Sequence, residues 1–523
     1  MKKILFSAAL TIAAFSLTAQ KVTINWGEES KKELAFGSFV KGKSNEMVKL
    51  CFDVEKKGFL GMKMTLTPNL ARYNDKLSQL GEKQYASYEE GVTFEDLLSI
   101  KGKIFLFTSQ YDRDTKTTNY YCQQVNIETL NPEGKSINLG SFEAVNKYSQ
   151  SSVGYELSKD SSKILMFGNN AYKRNDNEKF YMAVYDNNMT KLWDKTIELP
   201  YKDKYVTVQE SMVTNDGKVG VVLKHYDTEV SREEVRKDGA RVPSYKTKML
   251  IYEKESSMAK EYILDLNNKF IHTVQLANDD NDNILLFGLY KEKSSGYISG
   301  FFTVNFNKKT GAITTNNINK FPDALVEQIK IDKMGSDRER DPGLSSAFRL
   351  QQVVNRDNGS TDFILEYYTA VYVPPTRDRA GYWHYEYGDI IDINLLKDGK
   401  VVIARIPKLQ MSDNFTTFSS FVAVPYKESL LVFYNDDDDN IEREITKKPD
   451  PLHKFTKSVF VMGTIDKNGN VNRDILFKNK DNKLTTATKN CVVFDRNKIG
   501  LYAQKVFTFL GPGKDKIGIL EIK

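Results

Sequence analysis

KILMFG at 163–168 and FYMAVYD at 180–186, with the polar span 169–179 between them, decide how this sequence folds. Each run has the length and the apolar, aromatic content of a strand, and each is stopped by turn residues. Lys159-Asp160-Ser161-Ser162 stands before the first, and Asn187-Asn188 follows the second. A run at 152–158 precedes the pair, and a fourth leads from Lys191-Leu192-Trp193 to near Leu199. The unit is four short strands joined in up-and-down order.

On either side of this unit the same order recurs. The second strand reappears as MVKLCFDV from Met47, KIFLFTS from Lys103, KVGVVLKHY from Lys218, ILLFGLY from Ile284, DFILEYY from Asp362, SLLVFY from Ser429 and KIGLYAQ from Lys498. Polar turns such as Asn215-Asp216-Gly217 and Asp357-Asn358-Gly359 precede them. Eight second strands thus begin near 47, 103, 163, 218, 283, 361, 429 and 498, spaced 55 to 78 residues apart. A four-stranded unit at this spacing is the mark of a β-propeller blade, and a closed ring protects the ends of the array. The sequence predicts an all-β fold: a propeller of eight four-stranded blades.

The last unit has strands near 489–494, 498–504 and 516–522, but no fourth. VTINW at 22–26 belongs to no other unit, so it is expected to complete that blade. First and last blades would then be neighbours, which leaves open whether Cys51 and Cys491 pair. Two alternatives stand beside this: seven blades with a separate N-terminal hairpin, or two stacked β-sandwiches. No Pro/Gly/Ser-rich linker marks a boundary of the kind separate domains need. One segment, 323–334, reads as helical, with Leu325, Ile329 and Lys333 at helical spacing.

On this repeat pattern the chain resembles the β-propeller superfamily over essentially its whole length after the first twenty residues. No diagnostic motif accompanies the pattern. Trp193-Asp194 is not repeated, unlike the dipeptide of WD repeats. In outline an exported eight-bladed ring is similar to outer-membrane assembly scaffolds and to quinone-dependent dehydrogenases. Neither resemblance carries a residue over, and Trp26, Trp193 and Trp383 are too few to dock every blade as the dehydrogenases do.

The first residues read as a signal peptide over 1–19: Lys2 and Lys3, an apolar core at 4–17, and Ala19 as the cleavage residue. The mature domain is expected to be 20–523. No Cys follows the apolar core, so a lipoprotein is not expected, and no second apolar span follows. Export to the periplasm or beyond is the expectation. The net charge of +6 is spread over 75 basic and 69 acidic residues, without a basic block interleaved with aromatics. Nucleic acid is therefore not an expected partner.

Four long segments, 226–246, 370–387, 435–457 and the link 319–346, fall between second and third strands or between blades. In up-and-down order these emerge on one face, where binding usually resides. The segment 370–387 carries Arg377, Tyr382, Trp383, His384, Tyr385 and Tyr387 behind Pro374-Pro375. Tyr and Trp offer flat apolar faces with polar edges, suited to a protein, peptide or sugar. The segment 435–457 opens with Asp436, Asp437, Asp438 and Asp439, a candidate calcium site, although the alternating ligands of an EF-hand are absent and a solvated acidic turn is the simpler reading. Asp279-Asp280 with Asp282, and Asp466 with Asn468 and Asn470, carry the same ambiguity; Gly469 favours a plain turn.

Other chemistries lack their residues. His225, His272, His384 and His453 are scattered, and no HExxH or paired-Cys pattern occurs. No G-x-S-x-G elbow and no Gly-rich phosphate loop is present. Paired carboxylates for glycoside hydrolysis are spatial, so sequence neither names nor removes them. The expectation is a non-enzymatic exported scaffold that binds a cell-envelope protein through the loop-rich face. The alternative is a propeller that binds or acts on carbohydrate.

Overall fold

Side chains at the turns set the hairpins. Asp186 Oδ1 accepts the backbone N–H of Asn188 and of Thr190, both at 2.8 Å. Asp279 does the same for Asn281 and Asn283, and Asp466 for Asn468 and Asn470. These carboxylates replace a backbone acceptor at the reversal. The ligand-like spacing of Asp466, Asn468 and Asn470 is thus spent on turn geometry, and Gly469 takes the left-handed φ of +85° that the turn requires. Asp280 lies outside the described residues.

The structure is a computed structural model that describes residues 22–31, 35–43, 46–57, 63–85, 92–144, 152–170, 172–229, 232–279, 281–333, 343–377, 379–481, 483–505 and 513–523. The segment expected as signal peptide, 1–19, falls outside them. Eight antiparallel blade sheets make up the ring, and in the first seven the four main strands lie in sequence order across the sheet. The second strands begin at Met47, Lys103, Lys163, Val219, Ile284, Thr361, Ser429 and Lys498, where the turn residues place them. The eighth blade borrows its outer strand: Val22–Trp26 lies antiparallel on Lys514–Ile522, from Val22 opposite Ile522 to Trp26 opposite Gly518. The fold is an eight-bladed β-propeller.

Eight apolar clusters, each shared by two adjacent blades, hold the ring. Phe287 of blade 5 stacks on Phe363 of blade 6 with centroids 4.0 Å apart. Phe39 and Met47 of blade 1 share a cluster with Tyr502 and Ile519 of blade 8, so the first and last blades touch as expected. Cys51 and Cys491 come from these two blades, but neither they nor Cys122 form a disulfide. Burial pushes the Cys122 thiol up to about 12, where it stays protonated and inert.

Three elements depart from the sequence reading. The inner strand of blade 8, expected at 489–494, is broken into Thr485–Thr486 and Val492–Asp495 by a helical turn at Thr488–Asn490. Asn435 of blade 7 explains the break, since its side-chain amide donates to Phe418 O, Thr486 O and Thr488 Oγ1. Within 226–246, Glu234–Lys237 and Ala240–Pro243 form a hairpin. Most of 370–387 is strand. The helix spans Asp323–Lys333 and packs Leu325, Val326 and Ile329 onto the cluster between blades 5 and 6. No helix among the described residues is long and apolar enough to cross a membrane.

Candidate functional site

TAVYV at 369–373 and YWHYEY at 382–387 have β-branched and aromatic side chains with strong strand preference. They prolong the second and third strands of blade 6, Thr361–Val373 and Tyr382–Leu395, into a two-stranded arm beyond the ring. The chain between these two strands opens with Pro374-Pro375 and is tied by Thr376 N–H to Arg379 O at 2.8 Å. A third short strand, Gln410–Asp413, lies on the outer side of the arm, from His384 opposite Asp413 to Tyr387 opposite Gln410.

Strand alternation sorts the candidate residues onto two faces. Tyr372, Trp383 and Tyr385 share one. Tyr372 and Trp383 are cross-strand partners with ring centroids 5.5 Å apart, and Trp383 stacks on Tyr385 at 6.4 Å. Tyr372 is 50% and Trp383 46% exposed. The opposite face is polar. His384 Nδ1 lies 2.8 Å from Asp413 Oδ1, Arg379 reaches Asp413 Oδ2 at 2.9 Å, and the Arg379 guanidinium covers the Tyr382 ring at 3.7 Å. The His384 ring and Arg379 hold the Asp413 carboxyl below its ordinary range. Arg377 is exposed at the tip.

Tyr387 follows on the same face as Trp383 and Tyr385 but is covered. It is 2% exposed, packs against Tyr368 at 4.9 Å, and its hydroxyl accepts from Lys489. It belongs to the root of the arm, which is polar and buried. Lys408 Nζ donates to Glu366 Oε1 at 2.6 Å, Ser420 Oγ donates to Glu366 Oε2 at 2.6 Å, and Gln410 Nε2 donates to Asn435 O at 2.7 Å. The last two of these bonds cross between blade 6 and blade 7. A buried ion pair whose partners are all hydrogen-bonded fixes geometry more than it adds stability. The arm is held on a rigid base. Leu452, in the long segment of blade 7, braces it by exchanging backbone bonds with Leu409 and Met411.

Tyr372 and Phe415, 64% exposed, were not among the sequence candidates. Tyr372 is legible once 369–373 is read as strand, because it falls directly opposite Trp383. Phe415 follows the bracing strand and has no local signal.

The acidic run takes a different form from the one its sequence suggests. Asp436 ends the second strand of blade 7 and is fully buried, accepting from Asn440 Nδ2 and Asp437 N–H at 2.8 Å each. Asp438 pairs with Lys478, and Asp439 starts a helical turn, Asp439–Glu442. The four carboxylates diverge, and among the described residues no three ligating side chains converge on a metal position.

One cleft borders the arm and a second lies elsewhere on the ring. The first, of about 210 Å³, lies at the root of the arm, lined by Tyr367, Glu386, Asp389, Lys408, Met411 and Pro449. A wider one, about 480 Å³, lies where blades 8 and 1 meet, lined by Trp26, Glu29, Lys49, Tyr73 and Gln79. Its buried Lys49 is already paired with Asp515 at 2.9 Å. The exposed aromatics of the arm line neither cleft.

No protein-family model matches the chain, and no curated protein matches it in sequence. Solved structures similar to it include a β-propeller domain and a WD40 domain. The β-propeller domain of the Trilobed protease from Pyrococcus furiosus is 11% identical over 85% of this chain and 99% of that one, with a TM-score of 0.36. The WD40 domain of SCAP from fission yeast is 8% identical over 96% and 94%, with a TM-score of 0.39. The acylaminoacyl peptidase of Pyrococcus horikoshii is 10% identical over 92% of this chain, which spans 60% of that enzyme, with a TM-score of 0.36.

Proposed function

We propose that this chain is an exported, non-enzymatic binding protein of the bacterial cell envelope, which holds a protein partner through the aromatic face of the arm on blade 6. The observation that carries this reading is the form of the aromatics. Tyr372, Trp383 and Tyr385 stand on a projecting, rigidly rooted sheet. A sugar site is concave and sets aromatic faces against carboxylates, whereas a protein site is broad with an apolar centre. Large aromatics on a stiff support are the residues that dominate protein interfaces.

The test is affinity capture from detergent-solubilised envelope with the mature chain and its Trp383→Ala variant, read by mass spectrometry. A specific envelope protein retained by the parent and depleted at least about tenfold by Trp383→Ala supports the reading, because a hot-spot aromatic contributes about 2 kcal/mol or more. Equal capture by both removes the arm from the function. The carbohydrate reading keeps one supporting feature, the root cleft, where Tyr367 meets Glu386 and Asp389. Binding on a glycan array that is lost in Glu386→Gln and retained in Trp383→Ala favours it instead.

A further inference from the structure

The arm has an open edge. The inner strand of blade 6, Phe348–Asn355, first meets the second strand at Phe348 opposite Tyr367. One further bond follows, from Tyr368 N–H to Ala347 O at 3.0 Å. Upstream of this the chain turns away to blade 5, where Leu344 bridges Ile298. Residues 369–373 therefore have the third strand on one side, and among the described residues no strand on the other.

Which groups face outward follows from the ladder. In an antiparallel strand, alternate residues send both N–H and C=O to the same side. Tyr368 N–H points to the open side, so the N–H and C=O of Ala370 and Tyr372 point there too. Those of residues 369, 371 and 373 are turned to the third strand. The edge is uncharged, with Val371 56% and Tyr372 50% exposed. Natural proteins guard such edges with charges, bulges or proline. Here the guard stands only at the end, at Pro374-Pro375.

We propose that this edge pairs antiparallel with the same edge of a second copy of the chain, about a two-fold axis through Val371. The outward residues are two apart, so this register sets Ala370 opposite the second copy's Tyr372, and the reverse. All four outward groups on each copy then find a partner. The smallest side chain of the edge meets the largest on the aromatic face, and Val371 meets its own copy on the other. A two-fold axis brings each residue near itself, and like charges directly opposite are destabilising. An uncharged edge is therefore a condition of self-pairing, which a foreign strand would not impose. Three strands from each copy would form one six-stranded sheet carrying both sets of Tyr372, Trp383 and Tyr385. The inference does not depend on what those aromatics bind.

The test is sedimentation equilibrium on the purified mature chain, with two variants. The parent is expected at twice the chain mass. Val371→Lys sets two charges on the axis at an exposed position and is expected to run as a monomer with unchanged thermal unfolding. Val371→Cys is expected to form an interchain disulfide on mild oxidation, because directly opposed residues of a non-hydrogen-bonded pair have Cα atoms about 4.5 Å apart, within disulfide reach. Arg377→Cys at the tip is the control and should stay uncrosslinked. A parent that is monomeric at every concentration overturns the proposal and leaves the edge to a strand from another protein. A dimer that survives Val371→Lys, or that Val371→Cys does not crosslink, overturns it in favour of a different interface.

Discussion

In the turn that opens the second strand of blade 6, the guanidinium of Arg356 is 1% exposed and serves two carboxylates. It donates to Asp362 at 2.8 Å and to Asp392 at 3.1 Å, and reaches Glu428 O of blade 7 at 2.8 Å. Burial and the adjacent Asp362 push the Asp392 carboxyl well above its ordinary range. Removing the cation leaves buried acids uncompensated, so Arg356→Met is expected to cost about 3–5 kcal/mol in urea unfolding, whereas Asp392→Asn should cost far less. Asp436 makes a second case. Burial pushes its carboxyl up to about 7 from an ordinary 3.8. The folded state then holds the proton more tightly, so the stability it contributes is full below the unfolded value and is lost as pH rises through the folded one. The parent loses up to about 1.4 kcal/mol for each pH unit climbed between those two values. Asp436→Asn carries no such proton and is expected to be more stable than the parent at pH 8 and equal to it near pH 4. Urea midpoints at the two pH values check both signs.

Among elements, the closing strand Val22–Trp26 has the most to hold. Its Trp26 meets Phe477 of blade 7 edge-on at 6.1 Å and lies flat on Gly518, where an added Cβ would stand 2.7 Å from the indole. Gly518→Val is expected to lift the indole, cost about 1–3 kcal/mol, and speed amide exchange across residues 22–26. Unchanged exchange there would show that the strand is held by its ladder alone. The arm is the opposite case. Its tip contributes nothing to the apolar clusters between blades, and substitutions at Arg377 or Trp383 are expected to leave the thermal midpoint within about a degree of the parent, since surface changes fall within about 0.5 kcal/mol.

Around the whole ring, every blade shares a cluster with each neighbour, and loss of one blade exposes two. An open solenoid can unfold from its ends, but a closed ring has none. A single cooperative transition by calorimetry is expected, with Gly518→Val lowering its midpoint rather than splitting it. Several acids share the character of Asp436. Burial pushes Glu178 up to about 8, assisted by Asp203, and Glu210 up to about 7, assisted by Glu156. Each holds its proton more tightly when folded, so the ring as a whole should gain stability as pH falls from about 8 toward 5.

The architecture was legible in local pattern alone. Strand runs and turn residues act over a few positions, so the eight second strands and the unclaimed VTINW could be read without any knowledge of what packs on them. The same pattern marked the segment that carries the arm, through Trp383 and its neighbours. What depends on where another element starts or stops came only with the packed ring. Tyr387 is buried because blade 7 covers the root of the arm, and Asp436 is buried because Asn440 folds back over it. Cys51 and Cys491 sit in adjacent blades yet form no disulfide. Among the described residues, 369–373 form an open edge because the chain arriving from blade 5 first bonds the second strand of blade 6 at Ala347. Burial and pairing are set by distant segments, and a local pattern carries no record of them.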